Sequence, residues 1–289
     1  MLNEQDLRGI FIPVITPFTP SGELDLDSYR TYAGHLVKQR IQGLVVNGTT
    51  GESPTVTWEE AAALLQATKE LAKGQHIPVI MGTGTNDTAA TVRRTEQAGL
   101  LGADAALVVV PYYSRPSQAG IIEHFRQAAR VGIPVIAYEI PYRTGVKVTV
   151  DTMREILEID GVIGLKDSSG GTELVSELTR FDSKPVLCGE DAYFYTSLAS
   201  GASGGMLASA NVRTNDFAEV YRLAQSGRFL DAKRAFDTLL PLIRLLFREP
   251  NPCPVKWLLS RQGLIASSAV RLPLCPITSS LEHELAAYV

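Results

Sequence analysis

Short runs of consecutive apolar residues, rich in Val and Ile and bounded by turn signals, recur along the chain. They begin with GIFIPVI from Gly9, GLVVNG from Gly43, IPVIMG from Ile77 and DAALVVVP from Asp104. They continue with IPVIAYE from Ile133, VIGLKD from Val162, KPVLCG from Lys184 and SGGMLAS from Ser203. Runs that are apolar at successive positions suit parallel strands covered on both faces, whereas a half-exposed strand alternates. The intervals carry the helical period instead. Leu26, Tyr29, Ala33, Leu36 and Val37 share one face, and Thr57-Trp58-Glu59-Glu60 is a capping box opening a helix over Ala61 to Leu71. The segment from Ala192 to Val212 reads as helix, turn, strand.

Strict alternation of strand and helix implies βαβ units, and eight such units predict an α/β fold, a (β/α)8 TIM barrel, over an open doubly wound sheet. After about residue 225 the strand signal stops. Phe229 to Phe247, Pro254 to Gly263 and Ser279 to Ala287 read as helices. The expected organisation is a barrel over residues 1–224 and a small C-terminal helical domain over 225–289, with no low-complexity linker between them.

Composition narrows the functional classes. The chain has 289 residues, 45% hydrophobic and 20% charged, which is ordinary globular usage and not that of a disordered or fibrous chain. Its 27 basic and 31 acidic residues leave a formal charge of -4 with no basic block, so the phosphate-neutralising stripe of a nucleic-acid binder is absent. No apolar stretch suits a membrane span, and the opening MLNEQDLRGI, with two acids, does not read as a secretory leader. Cys188, Cys253 and Cys275 form no CxxC pair, which suits a reducing, cytoplasmic compartment. The expected partner is a small molecule.

In a barrel the chemistry sits at the C-terminal ends of the strands. There the sequence places Asn47 to Ser53, Pro111 to Pro116, Tyr138 to Gly145, Lys166 to Gly170 and Gly189-Glu190-Asp191. Lys166 follows VIGL, so an amine is carried from the core to the barrel mouth. Desolvation favours the neutral amine, which can attack a carbonyl. The structural alternative is a lysine paired with Asp167 or Glu139. Tyr138 offers a phenol able to move protons as carbinolamine formation and dehydration require. Arg143, in a loop bounded by Pro141 and Gly145, can fork a carboxylate, and Gly48-Thr49-Thr50-Gly51 places two hydroxyls at a turn. The histidines His35, His76, His124 and His283 lack metal-ligand spacing. Neither a complete GxGxxG nor a GxxxxGK[ST] motif occurs. Covalent chemistry without metal or cofactor is the expectation.

GTTGES at 48–53, PYYSRPSQAG at 111–120, YEIPYRTG at 138–145 and GLKDSSG at 164–170 resemble the dihydrodipicolinate synthase and N-acetylneuraminate lyase family. GEDA from Gly189, EPNPCPVKW from Glu249 and RLPLCPIT from Arg271 extend the resemblance to nearly the whole chain. It implies a class I (β/α)8 enzyme that attaches pyruvate to a lysine and adds the enamine to an aldehyde. By that resemblance Lys166 is the Schiff-base lysine, Tyr138 the proton-shuttling tyrosine and Thr49 the relay threonine. Tyr113 is the aromatic that completes the relay from a neighbouring subunit. Thr50 and the backbone at Met206 hold the pyruvate, and Arg143 receives the carboxylate of the incoming aldehyde or product. The resemblance also implies a homotetramer built from tight dimers.

The double threonine and Arg143 resemble members that condense pyruvate with L-aspartate β-semialdehyde in lysine and diaminopimelate synthesis. Aldolases and dehydratases of 2-keto-3-deoxy sugar acids share the scaffold. A non-catalytic keto-acid-binding protein is the rival from another class, which loss of the lysine or tyrosine would have marked. Two departures stand out. Glu139 occupies a position where such synthases carry Asn, and Tyr142 replaces a small residue. Strand alternation turns Glu139 away from the side Tyr138 faces, which predicts a structural role. Trp58, Ala61 and Ala90 stand where lysine-sensitive relatives carry His and Glu, which implies weak or absent inhibition by lysine.

Overall fold

The computed structural model describes residues 1–289. Eight strands follow one another in a closed barrel: β1 (Gly9–Pro13), β2 (Gly43–Val46), β3 (Val79–Gly82), β4 (Ala105–Val109), β5 (Val135–Glu139), β6 (Val162–Asp167), β7 (Val186–Cys188) and β8 (Gly204–Met206). The pairing is parallel, as between β5 and β6 and between β6 and β7. This is the (β/α)8 barrel that the alternation predicts. Every residue of β1, β2, β5 and β6 is buried, which is the physical origin of the unbroken apolar runs.

The chain falls into two compact units, Met1–Gly9 with Pro78–Met206, and Ile10–Ile77 with Leu207–Val289. The first holds β3 to β8 and the helices α3 (Thr88–Leu100), α4 (Gln118–Ala129), α5 (Pro141–Thr144), α6 (Val150–Glu158), α7 (Glu173–Thr179) and α8 (Phe194–Ala199). Short polar side chains cap α3, α4 and α6. Ser117 Oγ accepts the Gly120 N–H at the head of α4, and Thr149 Oγ1 accepts the Thr152 N–H at the head of α6. The stretch expected as helix, turn, strand is α8 followed by β8.

The second unit holds β2, most of β1 and the helices α1 (Leu26–Leu36), α2 (Trp58–Ala72), α9 (Thr214–Gln225), α10 (Phe229–Leu246), α11 (Cys253–Arg261) and α12 (Ser279–Leu285). The capping box is present: Thr57 Oγ1 accepts the Glu60 N–H, and Glu60 Oε2 accepts the Thr57 N–H. It starts α2 at Trp58 rather than Ala61, because the residues inside the box already have helical geometry. The C-terminal helices lie where the periodicity puts them, with ends shifted by one or two residues. The tail expected as helix to Ala287 closes in a 3₁₀ turn, Ala286–Tyr288. No helix is long and apolar enough to cross a membrane.

Within this unit the C-terminal helices are fastened to the loop after β2 by a buried ion pair. Lys256 Nζ on α11 lies 2.6 Å from Glu52 Oε1, with both side chains almost fully excluded from solvent. The same ammonium donates to Thr16 O at 2.8 Å and sits 4.3 Å from the Phe18 ring centroid. Glu52 Oε2 accepts the Arg271 N–H, while the Arg271 guanidinium covers the other part of the arrangement, 4.1 Å from the Phe18 ring and forked onto Glu60. Burial pushes the Lys256 pKa down, and its attraction to Glu52 opposes that shift. Removing one partner of such a pair leaves an uncompensated buried charge, at a cost of about 3–5 kcal/mol.

Candidate active site

In the first unit the register of β5 against β6 pairs Tyr138 with Lys166 and Glu139 with Asp167. Paired residues project to the same side, and neighbours along a strand project to opposite sides. Tyr138 and Lys166 are accordingly together, 4% and 6% exposed, with the Lys166 Nζ 4.1 Å from the Tyr138 ring centroid. Lys166 is not tied to the neighbouring acids that its structural alternative requires. Asp167 Oδ1 accepts the Ser169 N–H at 2.9 Å, and Glu139 Oε1 accepts the Val148 N–H at 2.9 Å. An amine that is not ion-paired to the acids adjoining it on β5 and β6 and is set against a phenol can attack a carbonyl while the phenol exchanges protons.

Gly189, just beyond β7, makes room for this lysine. A Cβ at position 189 would collide with Ser168 Oγ and would lie 2.8 Å from Lys166 Cε and 3.0 Å from its Cγ. Met206 ends β8 and is 1% exposed, in a strand whose Gly205 pairs with Cys188.

Arg143 was expected in an irregular loop, but the structure places it on the one-turn helix α5. Pro141 opens that turn with its fixed φ, and Gly145 closes it at φ 78, donating its N–H to Pro141 O. Arg143 is exposed, and its guanidinium lies 5.7 Å from the Tyr142 ring centroid. Tyr113 joins the same region through its backbone, donating its N–H to Thr144 O at 3.3 Å. It holds φ at 70, a conformation unusual for a side-chain-bearing residue, and its phenol is 90% exposed.

In the second unit the loop after β2 turns sharply, with Asn47 at φ 57 and Glu52 at φ 56. The Gly51 N–H donates to Gly48 O, and Thr16 Oγ1 donates to Gly51 O at 2.7 Å. Thr49 is half-buried at the turn. Thr50 is 3% exposed, and its Oγ1 accepts a hydrogen bond from Asn251 Nδ2.

Two carboxyls of the first unit have perturbed protonation. Burial pushes Glu139 up to about 7, with nearby Asp167 adding to the effect against the Val148 hydrogen bond. Burial, then Asp191, pushes Glu190 up to about 7 against the pull of Tyr142 and Lys166. Burial likewise raises Asp167. Glu190, Gly189 and Asn251 carry no role in the sequence reading. The first two lay in a recognised strand end, and Asn251 lay in a matching motif, but neither pattern identifies the side chain each one meets. No three His, Cys, Asp or Glu side chains form a metal-ligand cluster.

The fully buried Glu139 turns inward to Val148 rather than outward to Arg143, as the alternation predicts. Because the folded state holds its proton more tightly than the unfolded state, this residue's contribution to stability falls as pH rises from about 4.5 to about 7. Glu139→Gln removes that slope. Denaturant unfolding of the variant and the parent at pH 5 and pH 8 is expected to show the variant gaining up to ~3 kcal/mol over that interval, with the aldehyde KM changed less than about twofold. A pH-independent difference, or a large shift in KM, refutes this assignment.

The family model described as the dihydrodipicolinate synthetase family matches residues 6–289. The chain is 38% identical over 282 residues to 4-hydroxy-tetrahydrodipicolinate synthase 2 of Clostridium acetobutylicum, covering 96% of this chain and 98% of that one. It is 41% identical over 287 residues to the 4-hydroxy-tetrahydrodipicolinate synthase of Thermomicrobium roseum, covering 97% and 93%. Among solved structures it is similar to the dihydrodipicolinate synthase of Aquifex aeolicus, with TM-score 0.92, 36% identity and 98% of each chain covered. Similarity over nearly the full length, in sequence and in fold alike, shows that the chain belongs to the dihydrodipicolinate synthetase family.

Proposed function

We propose that this chain is a pyruvate-dependent Schiff-base lyase that condenses pyruvate with L-aspartate β-semialdehyde to 4-hydroxy-tetrahydrodipicolinate. The observation that carries the reading is the buried Lys166 amine, set against Tyr138 and left without either neighbouring acid as an ion-pair partner. The amine attacks the pyruvate ketone and water leaves to give the imine. Loss of a methyl proton forms the enamine, whose carbon attacks the aldehyde. The amino group of the acceptor then displaces Lys166 and closes the ring. Tyr138 and Thr49 pass the protons, Thr50 and the Met206 backbone hold the keto acid, and Arg143 receives the second carboxylate. An arginine exposed on a one-turn helix is suited to that bidentate role.

The assembly proposed is a homotetramer of tight dimers, in which Tyr113 completes the proton relay of a neighbouring subunit. An outward-pointing phenol on a backbone held at positive φ supports this reading. The three cysteines are free thiols, which fits the proposed cytoplasmic location, and cell fractionation tests that assignment.

Pyruvate consumption by the purified protein is expected only when L-aspartate β-semialdehyde is present, and Lys166→Ala is expected to abolish it. Consumption with a sugar-derived aldehyde instead would make the chain a sugar-acid aldolase, and turnover by the alanine variant would remove the Schiff-base mechanism. Dilution to monomers is expected to reduce activity per subunit, in step with the loss of tetramer seen by sedimentation. Full activity in the monomer would place Tyr113 outside the relay. With Trp58 and Ala61 on α2 and Ala90 on α3, sub-millimolar lysine is expected to leave turnover unchanged, and strong inhibition in a lysine titration would overturn that expectation.

A further inference from the structure

The loop carrying Thr50 and the segment leading into α11 meet in one buried hydrogen bond, from Asn251 Nδ2 to Thr50 Oγ1 at 3.0 Å. Asn251 is 9% exposed and Thr50 3%. An amide nitrogen has hydrogens to give and no lone pair to receive one, so Thr50 is the acceptor in this contact and the hydroxyl's single proton is not consumed by it. A threonine whose proton is directed elsewhere is a donor to an anion. One whose proton is taken by a neighbouring carbonyl is not. The other amide atom, Asn251 Oδ1, is buried with no partner, and an unsatisfied buried acceptor points to a functional constraint on the side chain.

Both ends of this contact are fixed by independent interactions. Glu52, two residues after Thr50, is clamped to Lys256, five residues after Asn251, by the buried 2.6 Å ion pair. The Cys253 N–H donates to Pro250 O and the Lys256 N–H to Pro252 O, so the chain on either side of Asn251 is held as α11 begins. The amide is therefore presented to Thr50 from segments that the ion pair and these backbone hydrogen bonds hold in place.

We infer that Asn251 is a positioning residue that sets the polarity of the Thr50 hydroxyl, keeping its proton free to be donated to the carboxylate of the keto acid. The inference rests on the reading of Thr50 as a residue that holds that carboxylate. Asn251→Asp reverses the contact, because a carboxylate accepts the Thr50 proton and adds a negative charge beside the anion. Asn251→Ala removes the contact without adding charge.

The test uses the intact enzyme and cyanoborohydride trapping of carbonyl compounds on Lys166, followed by mass spectrometry. The half-saturating pyruvate concentration is expected to rise about tenfold or more in the aspartate variant and about threefold in the alanine variant. Acetone, a ketone without a carboxylate, is expected to be trapped with the same concentration dependence in all three proteins. Unchanged pyruvate half-saturation in the variants overturns the inference, as does an acetone response that weakens in step with pyruvate. If the aspartate variant does not fold, the alanine variant carries the same comparison. Absence of any pyruvyl adduct on Lys166 in the unmodified enzyme overturns the proposed function itself, and this inference with it.

Discussion

An amine in the interior of a protein is stable only where its surroundings replace what water supplied, and reactive only where they do not hold it as a fully paired ammonium. The β5–β6 register meets both conditions. By pairing Tyr138 with Lys166 it gives the amine an aromatic face, and by pairing Glu139 with Asp167 it puts two carboxyls on the opposite side of the same strands. Those carboxyls are occupied with the Val148 and Ser169 N–H groups. A slip of one residue between these strands would exchange the two sets and turn a nucleophile into a salt bridge.

The second unit solves a different problem. A turn with two side-chain-bearing residues at positive φ has little intrinsic preference for its own conformation, so its shape must be imposed from outside. The buried Glu52–Lys256 pair does this, reinforced by Arg271 and by Thr16. Such a pair contributes little net stability because both ions lose their hydration, and what it provides is geometry. Residues near the C-terminus thereby take part in shaping a loop some two hundred positions earlier.

Much of this was legible in the sequence. Eight apolar runs gave eight strands because burial on both faces leaves a continuous signature. Lys166 stood out because a charge follows VIGL without a break. Alternation alone oriented Glu139 correctly. Contacts between distant segments were not legible. Nothing local in EPNPCPVKW says that Asn251 reaches Thr50, or that Lys256 is a fully buried ion rather than an exposed one on a helix. Arg143 was misplaced in a loop because a single helical turn between Pro141 and Gly145 is too short to show periodicity, although its boundary residues are those that open and close a helix. Glu190 escaped notice because its elevated pKa comes from burial beside Asp191, and burial at a strand end is a tertiary property.

Gly189 is not at a positive φ, so backbone conformation does not account for it. The constraint comes from the buried Ser168 hydroxyl and the stem of Lys166, which together occupy the space a methyl group would need. Positions 189, 168 and 166 are therefore sterically coupled. A side chain can appear at 189 only after both the Ser168 hydroxyl and the Lys166 stem have given way, and moving that stem displaces the amine. Loss of the lysine alone would leave the Ser168 hydroxyl in place, so the glycine is held by two side chains of the segment that carries the nucleophile and not by the nucleophile alone.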